Sequence, residues 1–106
     1  MTAWDTGDAT KKINTMAKSF RLKLVYTHHA QEQMDRRNLT IGDLLHVMKY
    51  GFVLEEPEPS TRKGFYKYSI EGRTPNSGSR KLKLIVIPDE EKCGIKFITV
   101  MWKDER

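Results

Sequence analysis

The sequence predicts an α+β domain in which two consecutive helices pack on one face of an antiparallel sheet of about four strands. Apolar residues recur at helical spacing between Thr27 and Tyr50, and they alternate with polar residues from Phe65 onwards. Helices that precede a run of strands are typical of α+β domains, and strands joined by short turns lie antiparallel. With 106 residues, the chain has the usual size of a single domain.

The N-terminal segment has the weakest pattern. Residues 1–19 carry isolated apolar side chains, such as Trp4 and Ile13, without a clear period. We therefore expect a flexible or weakly ordered tail or a marginal helix there, and a single α+β domain over residues 20–106. Residues 20–26 are mainly apolar side chains alternating with basic ones, which predicts a short strand or an extended lead-in.

The two predicted helices have recognisable start and stop residues. Thr27 is a typical N-cap, and Asn38 can end the first helix in a left-handed conformation. Thr40 and Asp43 have the spacing of a capping box, which begins the second helix, and Gly51 is a typical stop. These signals predict two short helices separated by a break of a few residues.

Strand-like patterns follow the helices. Phe52–Glu55 is a short apolar start that ends before two prolines, and Phe65–Glu71 alternates and is rich in aromatic residues. Lys81–Ile87 places lysines on one face and leucine and valine on the other, and Ile95–Trp102 supplies the last strand. The intervening segments contain proline, glycine and charged residues, as turns do.

The chain is basic, with a net charge of +5 from 19 basic and 14 acidic residues. A basic surface favours polyanions such as nucleic acid, although charge alone also fits a basic domain that binds none. The sequence has no apolar run that could span a bilayer, no apolar core of a signal peptide and a single cysteine, Cys93. We therefore expect a cytoplasmic protein.

The polar residues of the first helix are the main candidates for a functional site. At about 100° per residue, His29, Gln33 and Arg37 fall on one flank of the apolar stripe formed by Ala30 and Met34. Burying such side chains without partners costs several kcal/mol, so they need hydrogen bonds or ion pairs. Two interpretations stay open: a structural network with groups of the sheet, and a functional site where the helix meets the sheet.

As a functional site, these residues suit RNA cleavage without a metal or another cofactor. Histidine is the usual residue for proton transfer near neutral pH, so His29 can exchange the proton of a ribose 2′-hydroxyl, while Arg37 can hold the phosphate. Arg73 can add positive charge as a third catalytic residue. Histidines at positions 28 and 29 do not have the spacing of helical metal ligands, so we expect no metal site.

A basic stretch with interleaved aromatic residues suits single-stranded RNA, whose bases stack and whose phosphates pair with cations. Solvated or buried strand positions would explain the same residues equally well. The candidate nucleic-acid-binding residues are Lys67, Tyr68, Arg80, Lys81 and Lys83.

Four segments match the pattern of a known family: residues 26–41, 66–73, 84–86 and 98–102. Over about residues 25–102 the chain resembles the bacterial family called domain of unknown function 4258. Its opening motif is similar to Ser/Thr-x-His-Ala-x-x-Arg-Met-x-x-Arg, which His29 and Arg37 match and in which Gln33 replaces an arginine. The family is similar to RelE/BrnT-like and barnase–colicin-like small RNA-cleaving toxins. The resemblance implies a curved, RelE-like sheet and adds Thr99 as a supporting site residue, beside Gln33 from the flank of the first helix.

Three functional hypotheses follow. The first is a toxin–antitoxin endoribonuclease that cleaves RNA by 2′-hydroxyl transesterification, for which the resemblance implies an antitoxin partner and leaves ribosome association open. The second is a non-catalytic module that binds nucleic acid or protein, such as a phage or plasmid inhibitor or regulator. In the third, His29 and Arg37 merely fasten the first helix to the sheet.

Overall fold

The computed structural model describes residues 2–105, and within them it has three helices and six strands. The helices are α1 (Thr6–Ala17), α2 (His28–Arg36) and α3 (Ile41–Tyr50). The strands are β1 (Lys23–Tyr26), β2 (Phe52–Val53), β3 (Glu58–Pro59), β4 (Tyr66–Gly72), β5 (Leu82–Asp89) and β6 (Gly94–Trp102).

The strands form one mixed sheet in the order β1-β6-β5-β4-β2, and β3 also pairs with β4. The α+β class is confirmed, and β4, β5 and β6 are antiparallel neighbours as predicted. The prediction of a purely antiparallel sheet of about four strands is wrong, because β1 lies parallel to β6. The partner of β1 comes from the far end of the chain, and a local pattern of side chains contains no information about it.

All three helices pack on the same face of the sheet. In β5 the even-numbered residues from Leu82 to Val86 are buried against the helices, while the odd-numbered ones are half-exposed. Ala30 of α2 and Leu44 of α3 belong to the same buried cluster. The opposite side of the sheet, hereafter the open face, has no helix on it in residues 2–105. Its central residues are Lys67, Ser69, Glu71, Lys83, Ile85, Ile87, Lys96, Thr99 and Met101.

Helix α1 occupies most of residues 1–19, where a flexible tail or a marginal helix was predicted; Met1 lies outside the described residues. Asp5 caps the helix by accepting a 2.8 Å hydrogen bond from the Asp8 N–H. Ile13 is fully buried in the core that the other helices share, so α1 belongs to the domain predicted to begin at residue 20. The sequence pattern is weak because two of the four buried residues of α1 are alanines, which give little hydrophobic signal, and the stability of α1 depends on packing against the rest of the chain.

The start and stop signals of the other two helices are confirmed. The Thr27 side chain accepts a hydrogen bond from the Ala30 N–H, and Thr40 and Asp43 form the predicted capping box. Asn38 has a φ of 54°, the left-handed conformation expected where α2 ends. These features were predictable because each depends on residues within one helical turn.

A β-bulge in β6 determines which side chains reach the open face. Val86 pairs with Phe97, but Ile85 pairs with Thr99, so Ile98 is an extra residue in β6. As a consequence, Phe97 lies on the covered face and Thr99 lies on the open face.

Candidate functional site

Helix α2 lies along the edge of β6, where the predicted polar residues meet the sheet. The pairing of β1 with β6 ends at Tyr26, and the chain then turns into α2. The Thr27 N–H donates to the carbonyl of Phe97 (3.0 Å), and the Thr27 hydroxyl donates to the carbonyl of Ile98 (3.3 Å). Beyond that point, side chains of α2 must satisfy the backbone groups of β6 that have no neighbouring strand.

Gln33 satisfies one of those backbone groups. Its side-chain Oε1 accepts a 2.7 Å hydrogen bond from the Val100 N–H, and the residue is buried. A buried N–H without a partner costs about 1–3 kcal/mol, so this contact gives Gln33 a structural role. The same contact explains why a glutamine, which has a carbonyl acceptor, fits where the family motif has arginine.

Arg37 is held by a carboxylate at the C-terminal end of the sheet. Its guanidinium donates from Nε and Nη2 to the two oxygens of Glu105, with 2.6 Å between Nε and Oε1. The same Oε1 accepts a 3.0 Å hydrogen bond from the Trp102 N–H. The hydrogen bonds from Arg37 lower the pKa of Glu105 from its ordinary value of 4.5 to about 2, although burial opposes them and the bond from Trp102 adds to them. Arg37 would have to break this pair before it could hold a phosphate.

His29 is exposed and stands apart from the other two residues. Its neighbour His28 lies 2.8 Å from Glu32, whereas the His29 side chain has no hydrogen-bond or ion-pair partner within residues 2–105. His29 and Arg37 are separated by about 12 Å along the axis of α2. Arg37 donates to Glu105, and the His29 and Arg37 side chains share no hydrogen-bond or ion-pair partner within residues 2–105.

The remaining predicted site residues are spread over the sheet. Arg73 is exposed and directly follows β4, which is separated from β6 by β5. Thr99 lies on the open face opposite Ile85, whereas α2 packs on the covered face and the β6 edge. The structure therefore does not bring the predicted catalytic residues His29, Arg37 and Arg73 together around one reacting group.

Two of the predicted nucleic-acid-binding lysines lie on the open face beside acidic residues. The Lys83 Nζ is 3.5 Å from Glu55 Oε1, and Lys67 lies directly across from Glu58 in the β3–β4 pair. These carboxylates reduce the positive potential that the two lysines offer to a polyanion.

Two other predicted cations, Arg80 and Lys81, lie at the end of the sheet where β5 begins. Arg80 pairs with Asp104 at 2.8 Å and stacks on the Trp102 ring at 4.2 Å, so it already has partners. Lys81 is exposed and has no ion pair with any described residue. Of the two, only Lys81 is free to contact a ligand.

Tyr68 does not belong to the surface at all, which corrects its prediction as a nucleic-acid-binding residue. Its side chain is fully buried on the covered face, where the ring stacks on Trp4 with 5.3 Å between centroids. Its hydroxyl accepts a 2.8 Å hydrogen bond from the Trp4 N–H. The ring therefore fastens the N-terminal segment to the sheet and cannot stack on a base.

The open face contains a groove that the sequence did not predict, at the end of the sheet where β6 begins. It has a volume of about 350 Å³ and lies between the β1–β6–β5 end of the sheet and the loop Ser60–Phe65. Its apolar wall is formed by Val25, Phe65 and Ile87. Val25 is 53% exposed, so part of this wall is in contact with solvent.

Four exposed cations line the same groove: Lys23, Arg62, Lys92 and Lys96. None of them forms an ion pair with a described acidic residue. The single carboxylate in the lining is Asp89, which accepts a hydrogen bond from the Lys92 N–H. We call this site the basic groove; it combines unpaired positive charge with an apolar surface.

The basic groove is built from segments that are far apart in the sequence. Lys23 is on β1, Arg62 is in the loop before β4, and Lys96 is on β6. Lys96 alternates with buried Ile95 and Phe97, which marks it as an outward residue of β6. That alternation was the one local sequence signal for the basic groove. It shows that Lys96 points outwards, but it does not show that β1 lies beside β6.

Two further observations on the described residues concern membrane-spanning helices and clusters of metal ligands. No helix within residues 2–105 is long and apolar enough to cross a membrane. In the same part of the chain, histidine, cysteine, aspartate and glutamate side chains do not cluster in threes as the ligands of a metal ion would.

Comparisons with known proteins identify a family but no characterised relative. No curated protein and no solved structure matches the chain, so the RelE-like arrangement stays a prediction. A family model described as a domain of unknown function (DUF4258) matches residues 26–102. This range runs from the end of β1 to the end of β6 and covers most of the chain. The protein therefore belongs to the DUF4258 family.

Proposed function

We propose that this protein binds single-stranded RNA in the basic groove and does so without cleaving it through α2. The observation that carries the proposal is the coincidence of four unpaired cations with an apolar wall in one open groove. Single-stranded nucleic acids are bound by this combination, since phosphates contact cations while unstacked bases contact aromatic rings, arginine planes and apolar side chains.

The side chains of the loop support the same assignment. The Arg62 guanidinium lies over the Phe65 ring, 4.2 Å from its centroid, and thereby presents a flat cationic surface at the rim of the groove. Arginine planes of this kind stack on bases in single-stranded RNA. Resemblance to small RNA-cleaving toxins favours RNA over DNA as the nucleic acid.

Electrostatics favour the basic groove over the predicted site on α2. Arg37 is neutralised by Glu105, and its neighbour Gln33 is uncharged and buried. In the basic groove, four cations face a single carboxylate, Asp89. A phosphate therefore gains more from binding in the basic groove than beside α2.

The binding test measures fluorescence anisotropy of a labelled single-stranded RNA of about ten nucleotides, a length within the usual site size. We expect Lys96→Glu to weaken binding by about tenfold and to lower the slope of log K against log salt by about one. The matched control is Lys11→Glu, which makes the same charge change at an exposed position of α1. If both variants weakened RNA binding equally, the loss would depend on net charge and not on position, which would contradict the proposal.

The endoribonuclease hypothesis is tested in the same samples. Its predicted acid–base residue, His29, is exposed and can be replaced without disturbing the core. We expect the RNA to stay intact with the wild-type chain and with His29→Ala. Cleavage by the wild type that is lost in His29→Ala would restore the catalytic interpretation.

A further inference from the structure

A second exposed surface lies at the other end of the open face, about 23 Å from the basic groove along β5. Tyr50, Phe52 and Leu54 are 61%, 61% and 60% exposed. Phe52 and Leu54 are alternate residues of the extended chain and Tyr50 is the last residue of α3, and all three side chains line one shallow cavity of about 250 Å³. We call this set the exposed β2 stripe. Exposed apolar side chains that are contiguous in this way mark interaction surfaces.

The backbone of β2 is not available for pairing with another strand. Its outer edge is covered by α1, where the Thr10 hydroxyl accepts a 2.8 Å hydrogen bond from the Val53 N–H. Nearby, the Asn14 side chain donates to the carbonyls of Met48 and Gly51. A partner of the exposed β2 stripe must therefore contact its side chains and cannot extend the sheet by strand addition.

Charge is arranged with opposite signs at the two ends of the exposed β2 stripe. Because β2 runs antiparallel to β4, with Phe52 opposite Glu71, the residue that follows β4, Arg73, lies towards the Tyr50 end. Lys81 lines the same cavity. At the other end, Leu54 is followed by three acidic residues over residues 55–58: Glu55 and Glu58 lie beside Lys83 and Lys67, whereas Glu56 is exposed and has no ion pair with any described residue. The order along the surface is basic, apolar, acidic.

We propose that the exposed β2 stripe is the contact surface of a symmetric dimer of this chain. A two-fold axis near Phe52 relates the two copies, so their stripes run in opposite directions. The apolar side chains of the two copies then face each other, and each acidic end faces a basic end. A polyanion such as RNA would be repelled by the acidic end, and a partner of one charge sign would match only half of the surface. A second copy matches all of it.

Sedimentation equilibrium of the full chain tests the proposal directly. The monomer mass is 12.4 kDa, and the average mass of the wild type should approach twice that value as the concentration rises. Phe52→Asp, which places a charge at the centre of the interface, should stay monomeric at every concentration. The control Val25→Asp introduces the same charge at an exposed apolar residue outside the stripe and should leave dimerisation unchanged.

Charge reversal tests the two-fold arrangement. The variant Arg73→Glu/Lys81→Glu and the variant Glu55→Lys/Glu56→Lys should each be monomeric, because like charges then face each other. An equimolar mixture of the two should again reach the dimer mass. A wild type that stays monomeric into the high-micromolar range would overturn the proposal, and so would a mixture that fails to associate. RNA binding in the basic groove is measured separately, so failure of one proposal leaves the other standing.

Discussion

The ion pair between Arg37 and Glu105 offers a test of whether the polar flank of α2 has a structural role. The substitution Glu105→Gln removes the negative charge and leaves a side chain of nearly the same size and shape. In the folded protein the pKa of Glu105 lies at about 2, below its ordinary value of 4.5, chiefly because Arg37 donates hydrogen bonds to it. A carboxylate whose pKa is lower in the folded state than in the unfolded state stabilises the folded protein at pH values above its ordinary pKa. That stabilisation is lost as the pH falls from 4.5 towards 2.

The size of the effect follows from the two pKa values. Their difference corresponds to about 3 kcal/mol of stabilisation. Because 27% of the Glu105 side chain is exposed, solvent screening reduces the expected contribution to about 1–2 kcal/mol. A loss of that size lowers the melting temperature of a domain of this length by about 5–10 °C.

Urea denaturation of the wild type and of Glu105→Gln between pH 7 and pH 3 measures this contribution. We expect a difference of about 1–2 kcal/mol in the free energy of unfolding at pH 7, which shrinks as the pH falls below 4.5. Asp104→Asn is the matched control, because Asp104 pairs with Arg80 at an exposed position and its loss should have no measurable effect. Equal stability of Glu105→Gln and the wild type at pH 7 would refute a structural role for the pair.

Three further substitutions test other parts of the fold by the same denaturation assay. Gln33→Leu leaves the Val100 N–H without its acceptor and should cost about 1–3 kcal/mol. A Cβ at Gly51 would lie 2.6 Å from the carbonyl oxygen of Glu71, so Gly51→Ala should destabilise the protein by more than about 2 kcal/mol. His29→Ala changes an exposed residue without a described partner and should alter stability by less than about 0.5 kcal/mol; a larger loss would support the hypothesis that His29 fastens α2 to the sheet.

The parts of the fold that the sequence predicted are those determined by neighbouring residues. Thr27, Thr40 and Asp43 make their capping contacts within one helical turn, and the alternation in β5 follows from the two faces of a strand. Helix α1 was predicted only as one of two alternatives, a marginal helix or a tail, because its apolar residues gain their stability from distant partners. Trp4, which lies just before α1, likewise packs on Tyr68, 64 positions along the chain.

The candidate site was harder to predict, because each contact joins distant segments. The sequence placed Gln33 and Arg37 correctly on the flank of the buried stripe, but their partners are the Val100 N–H and Glu105. Neither a backbone N–H nor the return of the C-terminal residues to α2 has a local sequence signature. The same is true of the basic groove, in which Lys23 meets Lys96 only because β1 lies parallel to β6.

Titration of the ¹⁵N-labelled protein with single-stranded RNA, followed by amide chemical shifts, tests the proposed location of binding most directly. Saturable shifts at Lys23, Val25 and Lys96, with residues 28–37 unchanged, are the result that we predict. Shifts concentrated in α2, or none at low salt, would contradict RNA binding in the basic groove.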